Sequence, residues 1–210
     1  MKIVQPSIEV YFHHPHTLGG GMIDAKVFLE LVGRTCYKSE NKITEGTAPM
    51  FIEMLKNRGH HAMLEHCTAS VKFVCDRGVS HELVRHRLCA YAQESTRYCN
   101  YSKDKFDREI SVIEPPGLSP EARRCWQRAC GCAEDEYMRL IDMGVAPQIA
   151  RSVLPTCLKT EIWCTANLRE WMHIFKLRCA PEAHPQIREL MLQAQAIFAK
   201  EIPELFNANS

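Results

Sequence analysis

The stretch that carries most information in this chain is residues 85–98, which read Arg85-His86-Arg87-Leu88-Cys89-Ala90-Tyr91-Ala92-Gln93-Glu94-Ser95-Thr96-Arg97-Tyr98. We call it the arginine-rich segment. Its guanidinium forks suit bidentate binding of phosphate, and its tyrosine rings suit stacking on a flat heterocycle. The composition therefore predicts a site for a phosphorylated aromatic ligand, although charge alone also fits a solvated basic helix face.

The order and spacing of these residues carry more than their charge. Arg85-His86-Arg87 is followed after seven residues by Ser95 and, one residue further on, by Arg97-Tyr98. This arrangement resembles the signature of the flavin-dependent thymidylate synthases. With about one chance in twenty per position, the six matches have a random probability of order 10⁻⁸ per starting site. The motif is therefore specific.

The resemblance covers about residues 8–200, in the family's order. Upstream of the arginine-rich segment, the matching segments are Gly59-His60 and Leu64-Glu65-His66. Downstream they are Cys99-Asn100-Tyr101-Ser102, Ala150-Arg151 with Leu154-Pro155, Asn167-Leu168-Arg169, and Leu177-Arg178.

The resemblance implies an activity and a set of ligands. The activity is the reductive methylation of dUMP to dTMP, with 5,10-methylenetetrahydrofolate as carbon donor, FAD as hydride carrier and NADPH as reductant. A small chain holds several ligands most easily where subunits meet, and the resemblance implies a homotetramer with shared sites. No covalent protein nucleophile is expected, because the sequence lacks the Pro-Cys-His setting of the cysteine-dependent thymidylate synthases.

The family's functional positions carry over to this chain residue by residue. The positions that hold FAD match Arg85, His86, Arg87, Asn167, Arg169 and His173. The positions that hold dUMP match Ser95, Arg97, Arg151 and Arg178, with Arg178 at the uracil oxygens. His66 matches a histidine that lies against the flavin, so the catalytic candidates are His66, Arg97 and Arg178.

Four positions depart from the family's commoner residues. Glu82 replaces a glutamine, Ala90 a serine, Gln93 a glutamate and His173 an asparagine. Because a carboxylate repels phosphate, we expect Glu82 to pair with Arg85 or His86 at helical spacing rather than to bind the nucleotide. The loss of a carboxylate at Gln93 puts in doubt any role that requires one there.

Length and composition favour one compact domain over residues 1–210. With 46% hydrophobic and 24% charged residues, the chain can form a sizeable core, and disorder as its main state is excluded. The net charge of +1 disfavours bulk coating of nucleic acid, so any anion site must come from a local cluster of cations.

Location and redox state follow from simple patterns. No apolar run approaches the ~18 residues that a bilayer requires, and Met1–Tyr11 lacks the apolar region of a secretory signal. We therefore expect a cytoplasmic protein with no membrane partner. The 11 cysteines are odd in number and show no CxxC pair, so we expect reduced thiols. No metal is expected, since the histidines do not form HxxxH or HExxH; the histidines considered are His13, His14, His16, His60 and His61.

Hydrophobic alternation predicts strands around residues 8–12, 68–75 and 158–162. Capping signals predict helices from Asp24 to Gly33, from Thr47 to Gly59, from Ser80 through Leu88, over 121–143 and 148–153, from Asn167 through Phe175, and over 187–198. The helix through Leu88 would carry the cationic cluster. Loops are predicted at 19–21, 60–66 and 114–120. Because helices outnumber scattered strands, the pattern predicts an α+β fold; the resemblance specifies a small mixed or antiparallel sheet flanked by helices.

Two other functions fit parts of the same pattern. A single-stranded RNA-binding module would use Arg85, Arg87 and Arg97 on phosphates, with Tyr91, Tyr98 and Tyr101 as stacking platforms. Such a module would be colourless, whereas a flavoprotein is yellow. A flavin-dependent enzyme that modifies a different pyrimidine nucleotide would be separated from the first prediction only by its turnover.

Overall fold

The computed structural model describes residues 1–13 and 23–207. The predicted loop at Gly19–Gly21 and the histidines His14 and His16 lie outside these residues. The strands are β1 (Lys2–Val4), β2 (Ser7–His13), β3 (Thr68–Asp76), β4 (Ala90–Gln93), β5 (Ser111–Ile113) and β6 (Lys159–Asn167). The α-helices are α1 (Ala25–Tyr37), α2 (Ala48–Asn57), α3 (Arg77–Leu83), α4 (Pro120–Asp142), α5 (Pro147–Ala150), α6 (Leu168–Arg178), α7 (Pro185–Glu201) and α8 (Pro203–Phe206). Short 3₁₀ helices lie at Glu40–Lys42, His61–His66, Asp104–Phe106 and Arg151–Val153.

Two sheets form within the described residues. Four strands pair in the order β2-β3-β6-β4, and β1 pairs in parallel with β5, with Lys2 opposite Ser111 and Val4 opposite Ile113. The alternation that predicted β2, β3 and β6 is confirmed, and so is the α+β fold class. The strands β1, β4 and β5 were not predicted, because each is only three or four residues long and too short to show a period.

The chain divides into two compact units, each assembled from several segments. The first unit comprises Met1–Ser7, Lys72–Arg85 and Tyr91–Trp163. The second comprises the described residues of Ile8–Val71, His86–Ala90 and Cys164–Ser210. Strands β2, β3, β4 and β6 contribute residues to both units. The assignment of residues 1–210 to a single domain stays a prediction.

The second unit has an aromatic core that fixes helix α6. Trp171 is fully buried, its ring lies 5.2 Å from that of Phe198, and its indole Nε1 donates to the carbonyl of Ala69 at 3.0 Å. Phe175 packs edge-on against Phe198 at 5.1 Å. Asn167 caps the helix, because its side-chain oxygen accepts from the Glu170 backbone N at 2.9 Å, which confirms the cap that the sequence predicted.

The first unit packs one face of α4 against the small parallel sheet. Its buried cluster contains Tyr101, Ile110, Val112, Tyr137, Ala150 and Leu158. Ser119 caps α4 by accepting from the Ala122 backbone N at 3.2 Å, and Gly144 adopts a positive φ of 82° just after the helix ends. These bounds lie within a residue of those that the sequence predicted.

Helix α1 is longer than predicted, because Gly33 does not terminate it. The helix continues to Tyr37 and ends at Lys38 in the left-handed conformation. A Cβ at Gly33 would lie 2.5 Å from Cε1 of Phe51, so the glycine permits close packing of α1 on α2. Its buried residues include Leu29 and Glu30, whereas Val27 and Leu31 are exposed.

Helix α3 begins and ends earlier than predicted. Asp76 rather than Ser80 is its cap, accepting from the Val79 backbone N at 2.7 Å. The helix stops at Leu83, whose carbonyl accepts from the Tyr91 hydroxyl at 2.6 Å. The arginine-rich segment therefore follows the helix instead of lying on it, and the predicted helix through Leu88 is wrong.

Two further features of this architecture bear on the predictions. The predicted loop over residues 60–66 contains the 3₁₀ helix His61–His66. None of the helices in residues 1–13 and 23–207 is long and apolar enough to cross a bilayer.

Gly33 tests how closely α1 packs on α2, and Gly131 in α4 provides the control. Gly33→Ala should destabilise the protein by about 1–3 kcal/mol, since the new methyl group would overlap the Phe51 ring. Gly131→Ala, within α4, has no atom within 4 Å of its Cβ and should stabilise by about 0.5–1 kcal/mol. Urea unfolding at one protein concentration measures both. An unchanged midpoint for Gly33→Ala would contradict the packing.

Candidate functional site

The predicted FAD and dUMP residues divide between the two units. The second unit holds His66, His86, Arg87, Asn167, Arg169, His173 and Arg178, and the first holds Arg85, Ser95, Arg97 and Arg151. Within Arg85-His86-Arg87 the histidine is buried and both arginines are exposed. The two guanidiniums are therefore accessible to a ligand, whereas the imidazole is committed to the interior.

The buried imidazole of His86 lies between groups carried by α6. Nε of Arg178 donates to Nε2 of His86 at 2.9 Å, and Oε1 of Glu170 lies 3.7 Å from Nδ1 on the other side of the ring. The His173 ring stands edge-on to His86, with centroids 5.9 Å apart. Glu170 and His173 are three residues apart and share a helix face. The structure thus joins a predicted FAD residue, His86, to a predicted uracil residue, Arg178.

A cavity of about 700 Å³ in the second unit is bordered by three predicted FAD residues. These are Asn167, Arg169 and His173. Arg169 donates a short hydrogen bond to Glu65, which also lines the cavity. Leu88 and Met172 add apolar surface, and the remaining lining residues are His61, Glu170 and Lys176. Cations, amide groups and apolar side chains in one cavity of this size suit a ligand that has both phosphates and flat rings.

A second cavity, of about 560 Å³, shares His61 and Arg169 with the first. The rings of Tyr37 and His60 border it and stack at an interplanar angle of 27°. Apolar surface from Met63 completes this side. The shared residues place two cavities suited to flat ligands next to each other in the second unit.

The predicted histidine His66 is exposed at the end of the 3₁₀ helix His61–His66. Two other residues of that helix, His61 and Glu65, line the 700 Å³ cavity. From the sequence, His61 was considered only as a metal ligand, and Glu65 was assigned no role. Glu65 stands beside His66 in the matching segment, and this position was the one feature of the sequence that pointed to a role for it.

Two predicted dUMP residues of the first unit, Ser95 and Arg97, lie just after β4, and the third, Arg151, begins a 3₁₀ helix. Oγ of Ser95 accepts from the Arg97 backbone N at 3.3 Å, and the Arg97 guanidinium lies over the Tyr98 ring at 5.4 Å. Nη1 of Arg151 donates to Oγ1 of Thr96, a buried residue, at 3.0 Å. Thr96 therefore holds one end of the Arg151 fork, a role that the sequence did not indicate.

Arg151 also borders a cavity of about 460 Å³ within the first unit. Arg77 and His81 line the same cavity, together with Thr96 and Ser152. Two guanidiniums and two hydroxyls in one cavity favour an anionic ligand. Their proximity was not predicted, because Arg77 and Arg151 lie far apart along the chain.

Gln93 shows why an amide replaces the family's glutamate. Its Nε2 donates to Oγ of Ser80 at 2.9 Å and to Oγ1 of Thr160 at 3.2 Å. An ionised carboxylate has no proton to donate, so a glutamate would lose the bond to Ser80, whose own proton goes to the carbonyl of Arg77. Gln93 is thus built into the first unit as a donor.

A chain of charged side chains runs beside Gln93 in the first unit. Lys72 contacts Glu161 at 2.9 Å, Glu161 contacts Lys159 at 2.7 Å, and Lys159 contacts Glu94 at 3.1 Å. Burial alone would lower the pKa of Lys159, but its bonds to Glu161 and Glu94 outweigh burial and raise the pKa. Hydrogen bonds from Lys159 and Lys72 lower the pKa of Glu161. Burial raises the pKa of Tyr101, whose hydroxyl donates to Glu94 at 3.0 Å.

The cysteines are all free thiols, as the sequence predicted. Burial raises the pKa of Cys67 to about 11, of Cys75 to about 12 and of Cys179 to about 11. Because the thiolate is the nucleophile, these three thiols are poorly suited to covalent catalysis near neutral pH.

Comparisons with known proteins indicate the family to which the chain is similar. The model of the family described as "Thymidylate synthase complementing protein" matches residues 21–204. A flavin-dependent thymidylate synthase of Geobacter sulfurreducens is 33% identical over 195 residues, which cover 87% of this chain and 81% of that protein. One from Pyrococcus furiosus is 31% identical over 159 residues, which cover 75% of this chain and 65% of that protein.

A solved structure shares the fold. The UMP/dUMP methylase PolB from Streptomyces cacaoi, bound with 5-Br dUMP, superposes with a TM-score of 0.79 at 23% sequence identity. The match covers 99% of this chain and 96% of that one.

The charged chain predicts how stability depends on pH. Because the folded pKa of Glu161 lies below its ordinary value, its ion pairs stabilise the fold above the ordinary pKa and are lost as the pH falls through the folded value. Glu161→Gln should therefore lower the urea midpoint near pH ~7 and converge on the wild type near pH ~3. Glu136→Gln, which removes an exposed ion pair with Arg139, should change little at either pH. A gap for Glu161→Gln that is equal at both pH values would contradict this.

Proposed function

The chain belongs to the thymidylate synthase complementing protein family, and we propose that it converts dUMP to dTMP as a flavin-dependent thymidylate synthase. The proposed carbon donor is 5,10-methylenetetrahydrofolate, with FAD as the hydride carrier and NADPH as the reductant. The relatives from Geobacter and Pyrococcus carry the name of this activity, and the PolB structure holds a dUMP analogue. The observation that carries the proposal is the 700 Å³ cavity, because Asn167, Arg169 and His173 all line it.

The residues around this cavity fit FAD. Its volume lies within the range of about 300–1,000 Å³ that small-molecule and cofactor sites occupy. Arg169 and Lys176 supply cations for phosphates, and Leu88 and Met172 supply apolar surface for a ring. Asn167 and His173 would offer polar groups at ring edges. When bound, FAD supplies the hydride-carrying chemistry that no protein side chain provides.

The chain's own residues would bind dUMP and stabilise charge on its ring. Arg97, Ser95 and Arg151 would hold the phosphate end, for which planar guanidinium forks are well suited. Arg178 would face the uracil oxygens, where a fixed donor stabilises negative charge that develops as C5 becomes nucleophilic. His86 holds Nε of Arg178, so the guanidinium is oriented before the ligand arrives. His66 remains a candidate for positioning the folate or nicotinamide.

Assembly and location are part of the same proposal. A homotetramer with active sites at subunit interfaces would let several subunits contribute residues to each site. Light scattering under assay conditions tests this, and a monomer that is active would contradict it. We place the protein in the cytoplasm.

The RNA-binding alternative fits the structure less well. Tyr101 is buried, and the hydroxyl of Tyr91 is bonded to Leu83 within the first unit. Of the three tyrosines that were proposed as stacking platforms, Tyr98 is therefore the one that is highly exposed. Base stacking on a strand of RNA requires several exposed aromatic faces.

The test of the proposed function starts with colour and turnover. The purified protein should be yellow and absorb in the blue, and NADPH with dUMP should bleach it. Arg178→Ala and Arg97→Ala should each lower dTMP formation by about 100-fold or more, as loss of a charge-stabilising donor does. Arg139→Ala is the matched control, because Arg139 is exposed on α4 and pairs with Glu136. Full activity in either test variant would contradict its assigned role, and a colourless protein with steeply salt-dependent RNA binding would favour the alternative.

A separate variant tests how Arg151 is held. Thr96→Val keeps the shape of the side chain but removes the hydroxyl that accepts from Arg151. We expect the KM for dUMP to rise by about 3–10-fold with little change in kcat, since one hydrogen bond contributes about 1 kcal/mol and phosphate contacts bind substrate and transition state alike. Thr35→Val, at an exposed position in α1, is the control. A fall in kcat at unchanged KM would contradict a role in binding.

A further inference from the structure

We propose that Glu170 is a positioning residue that fixes the guanidinium of Arg178 by acting through His86. The inference rests on the proposed function, because it gives Glu170 a part in the dUMP reaction. None of the matching motifs includes Glu170, which was not among the predicted site residues. The proposal stands on the geometry of three side chains within the second unit.

The hydrogen bond from Arg178 determines which ring nitrogen of His86 carries a proton. A guanidinium carries donors and no acceptor, so the 2.9 Å bond from Nε of Arg178 requires a lone pair on Nε2 of His86. In the neutral imidazole, one ring nitrogen accepts and the other carries the proton. His86 must therefore carry its proton on Nδ1. A doubly protonated ring would lose the bond to Arg178.

The carboxylate of Glu170 faces this proton. Nδ1 of His86 lies 3.7 Å from Oε1 of Glu170, which is longer than a hydrogen bond but close enough for the carboxylate to attract the Nδ1–H dipole. The side chains of both residues are at least nine-tenths buried, with exposures of 4% and 9%. A carboxylate in this position stabilises the Nδ1–H tautomer, as the aspartate of a Ser-His-Asp triad does for its histidine.

The negative charge of Glu170 has a positive counterpart. A buried carboxylate is costly unless a positive group compensates it. Arg178 supplies that charge on the opposite side of the neutral ring, so Glu170, His86 and Arg178 form a balanced array. Helix α6 holds the carboxylate rigidly, because the Glu170 backbone N donates to Asn167 and the neighbouring Trp171 is anchored to Ala69.

A metal ion is the other occupant that this cluster suggests. Ligand atoms of His86, Glu170 and His173 all lie within 4.8 Å of one another. A metal on Nδ1 of His86 would leave the ring without a proton, since Nε2 already accepts from Arg178. The guanidinium would also repel the cation. The hydrogen-bonded array therefore explains the cluster better than a metal site does.

Kinetics of two Glu170 variants provide the first test. Glu170→Ala removes the carboxylate and should lower kcat for dTMP formation by about tenfold or more, with a smaller change in the KM for dUMP, as loss of a group that orients a functional residue does. Glu170→Gln retains a partially negative oxygen that can face Nδ1–H and should recover most of that loss. Glu189→Ala, which removes an exposed carboxylate from α7, should leave kcat unchanged. Wild-type kcat in Glu170→Ala would overturn the proposal.

The second test does not depend on turnover. In protein labelled with ¹⁵N-histidine, two-bond ¹H–¹⁵N correlations report which nitrogen of each ring carries the proton, and the signal absent from His86→Gln identifies His86. The wild type should show the Nδ1–H tautomer of His86, and Glu170→Ala should show a mixture of tautomers. Finding the Nε2–H form in the wild type would overturn the proposal.

The two measurements separate the inference from the proposed function. A wild-type protein that makes no dTMP but shows the Nδ1–H tautomer would refute the proposed function while supporting the array. Added Zn²⁺ should leave the His86 signal unchanged. A stoichiometric Zn²⁺-dependent shift of the His86 and His173 signals together would overturn the array in favour of a metal site.

Discussion

The burial of one tryptophan determines what the second unit can present to a ligand. The indole of Trp171 is enclosed by aromatic rings and donates to the carbonyl of Ala69, so helix α6 can neither rotate nor slide without losing a buried hydrogen bond. Asn167, Arg169, Glu170, His173 and Arg178 all depend on that helix or its cap for their positions. Helix α6 thus carries both the buried aromatic residues and the candidate ligand-binding residues. It therefore links the stability of the second unit to its proposed function.

The first unit depends on a different interaction, which is the pairing of charged side chains around β4 and β6. Lys159 stands between Glu94 and Glu161, so the acidic groups near the predicted phosphate residues are neutralised from within the protein. Arg97 remains exposed, and Arg151 donates to a neutral hydroxyl on Thr96 instead of to a carboxylate. A guanidinium that is not paired with a carboxylate can still bind an anionic ligand. Gln93 extends this pattern, because it replaces the glutamate common in the family and acts as a neutral donor.

The departures from the family's usual residues make physical sense where the structure shows their contacts. His173 stands edge-on to His86 and lines the 700 Å³ cavity, to which it offers a ring instead of an amide. Burial raises the pKa values of Cys75 and Cys179, so these two thiols are poor nucleophiles near neutral pH. The pairing expected for Glu82 stays a prediction.

The sequence by itself determined the family, the α+β fold class and the elements that local chemistry specifies. Caps such as Asp24 and Asn167 are hydrogen bonds between residues two or three apart, and alternation in β2, β3 and β6 is a local pattern. Only the tertiary structure decided which face of α1 is buried and that Asp76 caps α3. Only there is it visible that Gly33 permits close packing of α1 on α2. The tertiary structure also decided that Arg178 meets His86 across 92 residues of chain. Such contacts depend on packing between distant segments, and no spacing along the chain encodes them.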